Sequence, residues 1–342
     1  MALTKNGVAF TLVSLLTATT ILTITFIGDS TPADSYLDSL EIRRDTTEST
    51  TSSIDRFFSY HIERVLKQNL ETVNNATKGT GSLYENAGIP GEATAKTVIS
   101  NCFAHGTFTD PNNTLQDCYP LRNETKELEV FADNYTQTDV NIKTKDITFT
   151  QADAEHLTVN TTIEIDAEDF TAETYKSSRQ SYDVALSGTP DAMYLFESNP
   201  GERPYEPNIT FEESLEAWEN RSLDRAIMNH WYFHWDEAPN YYQRLGNDTT
   251  KSSECCGLAS VIRPQNVTNP NNYSHLDYQY WNQECGTNTK RINFTGVSNS
   301  VQDQYDEEPT IEAIEGAILP KDFLEAAGIN DSTVWEDVNC TP

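Results

Sequence analysis

The chain has 342 residues, enough for one or two domains with real cores, and it carries 23 Lys and Arg against 53 Asp and Glu, a formal net charge of -30. That balance excludes nucleic-acid backbones and anionic membrane surfaces as partners, because both would be repelled. The acid is dispersed through runs such as EIDAEDF, FEESLEAWE and DQYDEEPTIEAIE, a surface that stays hydrated in strong salt, where repulsion is screened within a few ångströms; a halophilic source is expected.

Residues 1–9 form a short basic leader or cytoplasmic tail containing Lys5. The stretch GVAFTLVSLLTATTILTITFIG, Gly7 to Gly28, then runs 22 positions without a charge. At 1.5 Å per residue that length spans the hydrocarbon core as a helix, and it exceeds the apolar core of a cleaved secretory signal. Residues 10–28 are therefore expected to be a transmembrane or assembly helix. Lys5 before it and Asp29, Asp34 and Asp38 after it place the N-terminus in the cytoplasm and the remainder outside.

Residues 29–78 read as a helical stalk, broken by the Ser/Thr run DTTESTTSS and restarted with Ser53 as cap. Ile54, Phe57, Phe58, Ile62, Val65, Leu66, Leu70 and Val73 recur at three and four, which lays one apolar stripe along the helix. Either the rest of the chain or a neighbouring copy has to cover it.

Residues 79–342 are expected to form an extracellular glycosylated α+β domain. Within it, 90–125 reads as loop, and 126–190 as β-rich with a period of two. Val140 and Ile142, Ile147 and Phe149, Leu157 and Val159, Ile163 and Ile165, and Val184 and Leu186 alternate with polar residues, which predicts an antiparallel sheet with one wet face. Residues 210–245 return to helix and aromatics. The segment 250–342 is Cys-rich and turn-rich, closing on LPKDFLEAAGIN, a short helix that Pro320 starts. The fold class is α+β: a long N-terminal helix followed by an antiparallel β-rich, disulfide-bonded domain with additional short helices.

The six cysteines, Cys102, Cys118, Cys255, Cys256, Cys285 and Cys340, all follow the apolar stretch. An even number on one side of a membrane segment suits disulfides in an oxidising exterior. Cys102 and Cys118 are expected to close a local loop, with Cys255 and Cys256 reaching separately to Cys285 and Cys340, because neighbouring cysteines rarely meet bridge geometry. Thirteen Asn-x-Ser/Thr sequons agree with an exterior location: Asn75, Asn112, Asn123, Asn134, Asn160, Asn208, Asn220, Asn247, Asn266, Asn272, Asn293, Asn330 and Asn339. N-linked glycans are expected on them.

Sites of chemistry are few. HWYFHWDE sets His230 and His234 four apart, one face of a helix, but Trp231 stands where a zinc protease needs its glutamate. No metal is assigned there. Calcium suits the loops DPNNT and DAEDF by composition, without EF-hand spacing. Trp231, Tyr232, Trp235, Tyr241 and Tyr242 offer flat apolar faces with polar edges, a platform for a glycan or protein partner as well as material for a core. No Gly-x-Ser-x-Gly elbow and no phosphate-cradling loop occurs, so the reading is not an enzyme.

KNGVAFTLVSLL resembles the class III signal of type IV pilins and related archaeal filament subunits: a short basic lead, a small residue, then Phe-Thr-Leu and an apolar helix. The resemblance implies cleavage after Ala9, before Phe10, or after Gly7. It also implies a helix whose Phe10, Leu12, Val13, Leu15, Leu16, Ile21, Leu22 and Ile24 pack with other copies in a filament core. Ser14 stands where bacterial-type pilins usually carry Glu. SSIDRFFSYHIERVLKQNLE and DEAPNYYQRLGNDTTKSSECCGLASVI resemble stretches of membrane-anchored surface proteins of halophilic and small-genome archaea. The expectation is a structural cell-surface glycoprotein at the extracellular face of the membrane, pilin-like, with copies of itself as partners. The alternative is a membrane-anchored, non-filamentous adhesin that recognises glycan or protein.

Overall fold

A computed structural model describes residues 32–77, 91–110, 114–136, 138–168, 173–195, 208–211, 222–252, 255–267, 273–282, 284–285, 288–293, 315–327, 329 and 332–338. The expected leader, processing positions and membrane helix, including Gly7, Ala9 and Phe10, lie outside these residues. Among the described residues no helix is long and apolar enough to cross a membrane.

The chain is mixed α+β with antiparallel sheets and divides into two compact units that share the long first helix and the main sheet. Helix α1, Pro32–Thr77, is continuous for 46 residues. The expected break at DTTESTTSS does not occur, and Ser53 caps nothing. Its hydroxyl donates to the Ser49 carbonyl at 2.8 Å, as Thr72 does to Gln68 at 2.9 Å. Such bonds to the carbonyl four residues back let hydroxyl-rich sequence stay helical.

In the first unit, residues 1–58, 125–145 and 162–178, the buried side chains include Ile54 and Phe58 of α1, Leu128 and Ala132 of α3 (Leu121–Thr136), Val140 and Ile142 of β3 (Asp139–Gln151), and Ile163 and Ile165 of β4 (His156–Glu168). Residues 126–136, read as strand, are helix. Leu121, Thr125, Leu128 and Ala132 are buried at steps of three and four, a helical period that outweighs the Val-Phe pair at 130–131. Glu129 fastens helix to sheet by accepting the Ile142 N–H at 2.8 Å.

In the second unit, α1 is the spine. Ile62, Val65, Leu66, Leu70 and Val73 are all fully buried, so the chain itself covers this part of the stripe. Each such burial is worth about 1.5–3 kcal/mol. Helix α2, Gly91–His105, replaces the expected loop; Ala95, Val98, Ile99, Cys102 and Phe103 trace its buried face. Cys102 is bonded to Cys118 with Cα atoms 5.2 Å apart, closing the hairpin of β1 (Thr107–Thr109) and β2 (Leu115–Asp117) against α2. Asn69 of α1 grips the chain just beyond: its amide donates to the Tyr119 carbonyl at 3.0 Å and accepts the Tyr119 N–H at 2.9 Å.

The three-stranded sheet runs β3-β4-β5, with β5 spanning Glu173–Ala185. Phe149, Leu157, Val159 and Val184 point to the core as alternation predicts, while Ile147 is only half-buried. Farther along, β8 (Thr289–Ile292) pairs antiparallel with both β9 (Ile318–Pro320) and β10 (Trp335–Asp337). Helix α7, Lys321–Ala326, starts after Pro320 as expected.

Glu124 lies buried between His61 and Arg64 of α1 and makes ion pairs with both. Burial alone would raise its carboxyl. Hydrogen bonds from His61 and Tyr119 and the charges of His61 and Arg64 reverse that and hold it at about 2 against an ordinary 4.5. A lowered carboxylate stabilises the fold fully above its unfolded value, and the contribution is lost as pH falls from about 4.5 toward 2. After allowance for the half-exposed Arg64, the loss amounts to about 2 kcal/mol. Denaturant titrations across that pH window check it: Glu124→Gln should flatten the acid limb and lower stability at neutral pH.

Candidate functional site

The aromatic segment 230–245 is built differently from the helix its spacing suggested. Helix α4, Ser222–Asn229, ends where His230 adopts a left-handed conformation with φ 55°. The β-favouring Trp-Tyr-Phe that follows is extended. Phe233 and His234 form β6 and pair antiparallel with Leu258 and Ala259 of β7. His230 and His234 thus sit on a turn and a strand, and His234 Nε2 lies 3.0 Å from Asp236. Among the described residues no group of His, Cys, Asp or Glu is arranged to hold a metal. In the DPNNT loop, Asp110 instead accepts the Thr114 N–H at 2.8 Å and the Gln116 amide at 2.7 Å; part of that loop and of DAEDF lies outside the described residues.

The expected platform divides. Tyr232, Tyr241 and Tyr242 are buried in the core, whereas Trp231 and Trp235 remain half-exposed. The cause is α5, Tyr241–Leu245, a single turn closed by a capping box: Asn240 and Gln243 each accept the other's backbone N–H at 2.9 Å. The turn directs both tyrosines and Arg244 inward, and α5 packs on α2.

Arg244 is the centre of the second unit. Fully buried, it donates from Nε and Nη2 to Asp191 at 3.1 and 2.5 Å, from Nη2 to Asp277 at 2.6 Å, and from Nη1 to the Leu258 carbonyl at 2.9 Å. Tyr232 donates to Asp191 at 2.6 Å, and the Ser260 hydroxyl to Asp277 at 2.8 Å. The Tyr194 and Ser260 hydroxyls are 2.5 Å apart. The guanidinium also lies 5.3 Å from the Tyr232 ring centre and 5.9 Å from that of Trp281. Burial would weaken the Arg244 proton, but the charges of Asp191 and Asp277 raise its pKa well above the ordinary value. Burial raises the Asp277 carboxyl, and Arg244 opposes that rise. This constellation was not legible beforehand: its members stand at 191, 194, 232, 244, 260 and 277, and no local pattern links them.

Cys255 and Cys256 are bonded to one another, not to separate distant partners, with Cα atoms 3.7 Å apart. Cys256 takes a left-handed backbone, φ 71°, as the chain reverses there, and its carbonyl accepts from Gln151 at 3.0 Å. A side chain at Gly257 would strike the Ala238 and Trp235 carbonyls, so the reversal is tightly enclosed. Cys285 is also in a disulfide, and Cys340 lies outside the described residues. Of the sequons, Asn75, Asn123, Asn134, Asn208 and Asn266 are exposed, and Asn160, Asn247 and Asn293 half-buried. Asn112, Asn220, Asn272, Asn330 and Asn339 lie outside the described residues.

Beside the buried hub opens a groove of about 450 Å³, lined by residues flanking α5, by α6 (Asp277–Trp281) with its following turn, and by Pro320 and Asp322. Trp235 contributes its half-exposed indole and Tyr278 its phenol ring. Asp277, held by Arg244, is the residue before Tyr278 and accepts its backbone N–H at 2.7 Å. The hub therefore fixes one wall of the groove. No family model, curated protein or solved structure matches the chain.

Removing the cation would leave two buried carboxylates facing each other. Arg244→Ala is expected to cost about 3–5 kcal/mol. Asp277→Asn, which keeps an acceptor for the guanidinium, should cost less. Urea midpoints of the two variants check the order; equal losses would contradict a charge-based role.

Proposed function

We propose that the chain is a structural subunit of a cell-surface assembly of the type IV pilin kind, in which the apolar N-terminal segment bundles with other copies and the acidic domain faces a saline exterior. The observation that carries this reading is α1. It begins four residues after the apolar stretch and runs unbroken to Thr77, where its last turns are buried in the second unit. A helix that starts this close to the apolar segment and ends as a core element would couple assembly of the segments to the position of the domain.

Surface placement is supported by two further features. The described cysteines are all in disulfides, which suits an oxidising compartment. Among the described sequon asparagines none is buried, and five are exposed, as attachment of an oligosaccharide requires. The reading implies no catalysis; the histidine pair is split between turn and strand, and the Arg244 cluster is sealed from solvent.

Two measurements test it. Edman or mass-spectrometric sequencing of the chain from its native membrane should find a start at Phe10 or Val8, and negative-stain microscopy of sheared surface material should show filaments that bind antibody to this chain. An intact Met1 without filaments would instead favour a plain membrane anchor carrying a binding domain.

A further inference from the structure

The groove beside the Arg244 hub has the composition of a ligand site, and an assembly subunit has no use for it. Its volume, about 450 Å³, falls in the range of small-molecule sites, about 300–1,000 Å³. Its lining combines a half-exposed indole with polar groups already arranged in pairs. Glu237 meets Lys251 at 2.5 Å, and the Asn282 amide donates to Glu284 at 2.7 Å. Gln279 adds a sharper feature. Its Nε2 donates to the Tyr278 hydroxyl at 3.3 Å, while its Oε1 is buried with no hydrogen-bond partner among the described residues. An unmatched buried amide oxygen costs about 1–3 kcal/mol; Gln279 is itself part of the groove lining and only half-buried, so rotation of its amide would bring this oxygen to a ligand hydroxyl.

The lining also says what the ligand is not. Among the described lining residues, the three carboxylates Glu237, Glu284 and Asp322 against the one cation Lys251 disfavour an anion. They do not converge as metal ligands among the described residues. Two of the three are engaged by Lys251 and Asn282, which lowers the pull on a small cation. What remains is a neutral molecule with an apolar face for an indole and hydroxyls spaced for paired donors and acceptors.

We propose that the groove between Trp235, Tyr278 and Gln279 is a saccharide-binding site, taking a neutral pyranose with its apolar face on Trp235 and a hydroxyl donating to Gln279 Oε1. The sugar has a source within reach: Thr249 lines the groove and is the third residue of the Asn247-Asp248-Thr249 sequon, so an oligosaccharide on Asn247 would leave from the rim. A glycan of another molecule offers the same chemistry. Either way the site goes beyond assembly and stands whether or not the chain polymerises.

The test uses the full chain in detergent, made in a host without N-glycosylation, and titrates it with methyl glycosides of glucose, mannose, galactose and N-acetylglucosamine, with choline as cationic comparator. Saturation-transfer NMR and calorimetry should find at least one sugar bound with a Kd on the order of 1 mM or tighter. Gln279→Ala and the exposed Asn282→Ala should each weaken it by about tenfold without lowering the thermal midpoint. Trp235→Phe, which keeps packing against Phe323, should weaken it less than either. Failure of all four sugars, choline binding as tightly as the best sugar, or full affinity in Gln279→Ala would overturn the proposal. The glycosylated chain then separates the sources. If wild type refuses free sugar and Asn247→Gln accepts it, the site holds the chain's own glycan; if wild type binds, it serves another molecule's.

Discussion

The second unit depends on one buried cation. From residue 186 to 288 the described chain contains only short helices, two-residue strands and turns, so backbone ladders alone give it little order. Arg244 supplies what they do not. Its guanidinium makes four hydrogen bonds, to two aspartates and a carbonyl from three separate segments, and the two aspartates in turn hold Tyr232, Ser260 and the start of α6. A guanidinium is suited to this because its donors are fixed in a plane and it resists deprotonation even when buried. The cluster is costly to desolvate, so its value lies less in net stability than in allowing only one arrangement of the segments that meet there.

The surface is governed by the opposite condition. With 53 acids the chain repels itself at low ionic strength, and only the short screening length of concentrated salt removes that penalty. Scarce basic residues are therefore informative where they are buried or half-buried. Arg244 sits in the core, and Arg64 with His61 neutralises Glu124 under α1. The first cluster joins short segments of the second unit, and the second joins α1 to the first turn of α3. Interior charge and exterior charge thus do different work: one fixes geometry, the other keeps the folded domain hydrated.

The α+β class, the 139–186 alternation and the stripe from Ile62 to Val73 were legible because each is a local period imposed by one buried face. The errors had equally local causes. Hydroxyl-rich sequence looked like a break in α1, yet Ser and Thr can bond back within a helix. Residues 91–105 were hidden by flanking Gly and Pro, although their apolar spacing is helical. In the aromatic segment the tyrosines could be seen but not their direction, which the Asn240 capping box decides. The hub and the groove could not be read at all, since their members come together only through tertiary packing. Trp235 was singled out beforehand; Gln279 and Asn282 were not, because nothing in the local sequence marks either as lining a groove with Trp235.

The Cys255–Cys256 pair shows how these levels meet. Adjacent cysteines looked like two links to distant chain, but they link to each other at a reversal. The cross-chain tie is made by Gln151 at the end of β3, whose amide donates to the Cys256 carbonyl while its oxygen accepts the Tyr241 N–H at 2.8 Å. One neutral side chain therefore connects the end of the main sheet to the turn that carries Arg244. Through α5 and Asp277 the same connection reaches the wall of the groove. The order of that wall is set by hydrogen bonds that added salt would weaken only slightly, because the groups are buried. A domain built this way can keep its groove in shape at ionic strengths where ion pairs on its surface contribute almost nothing.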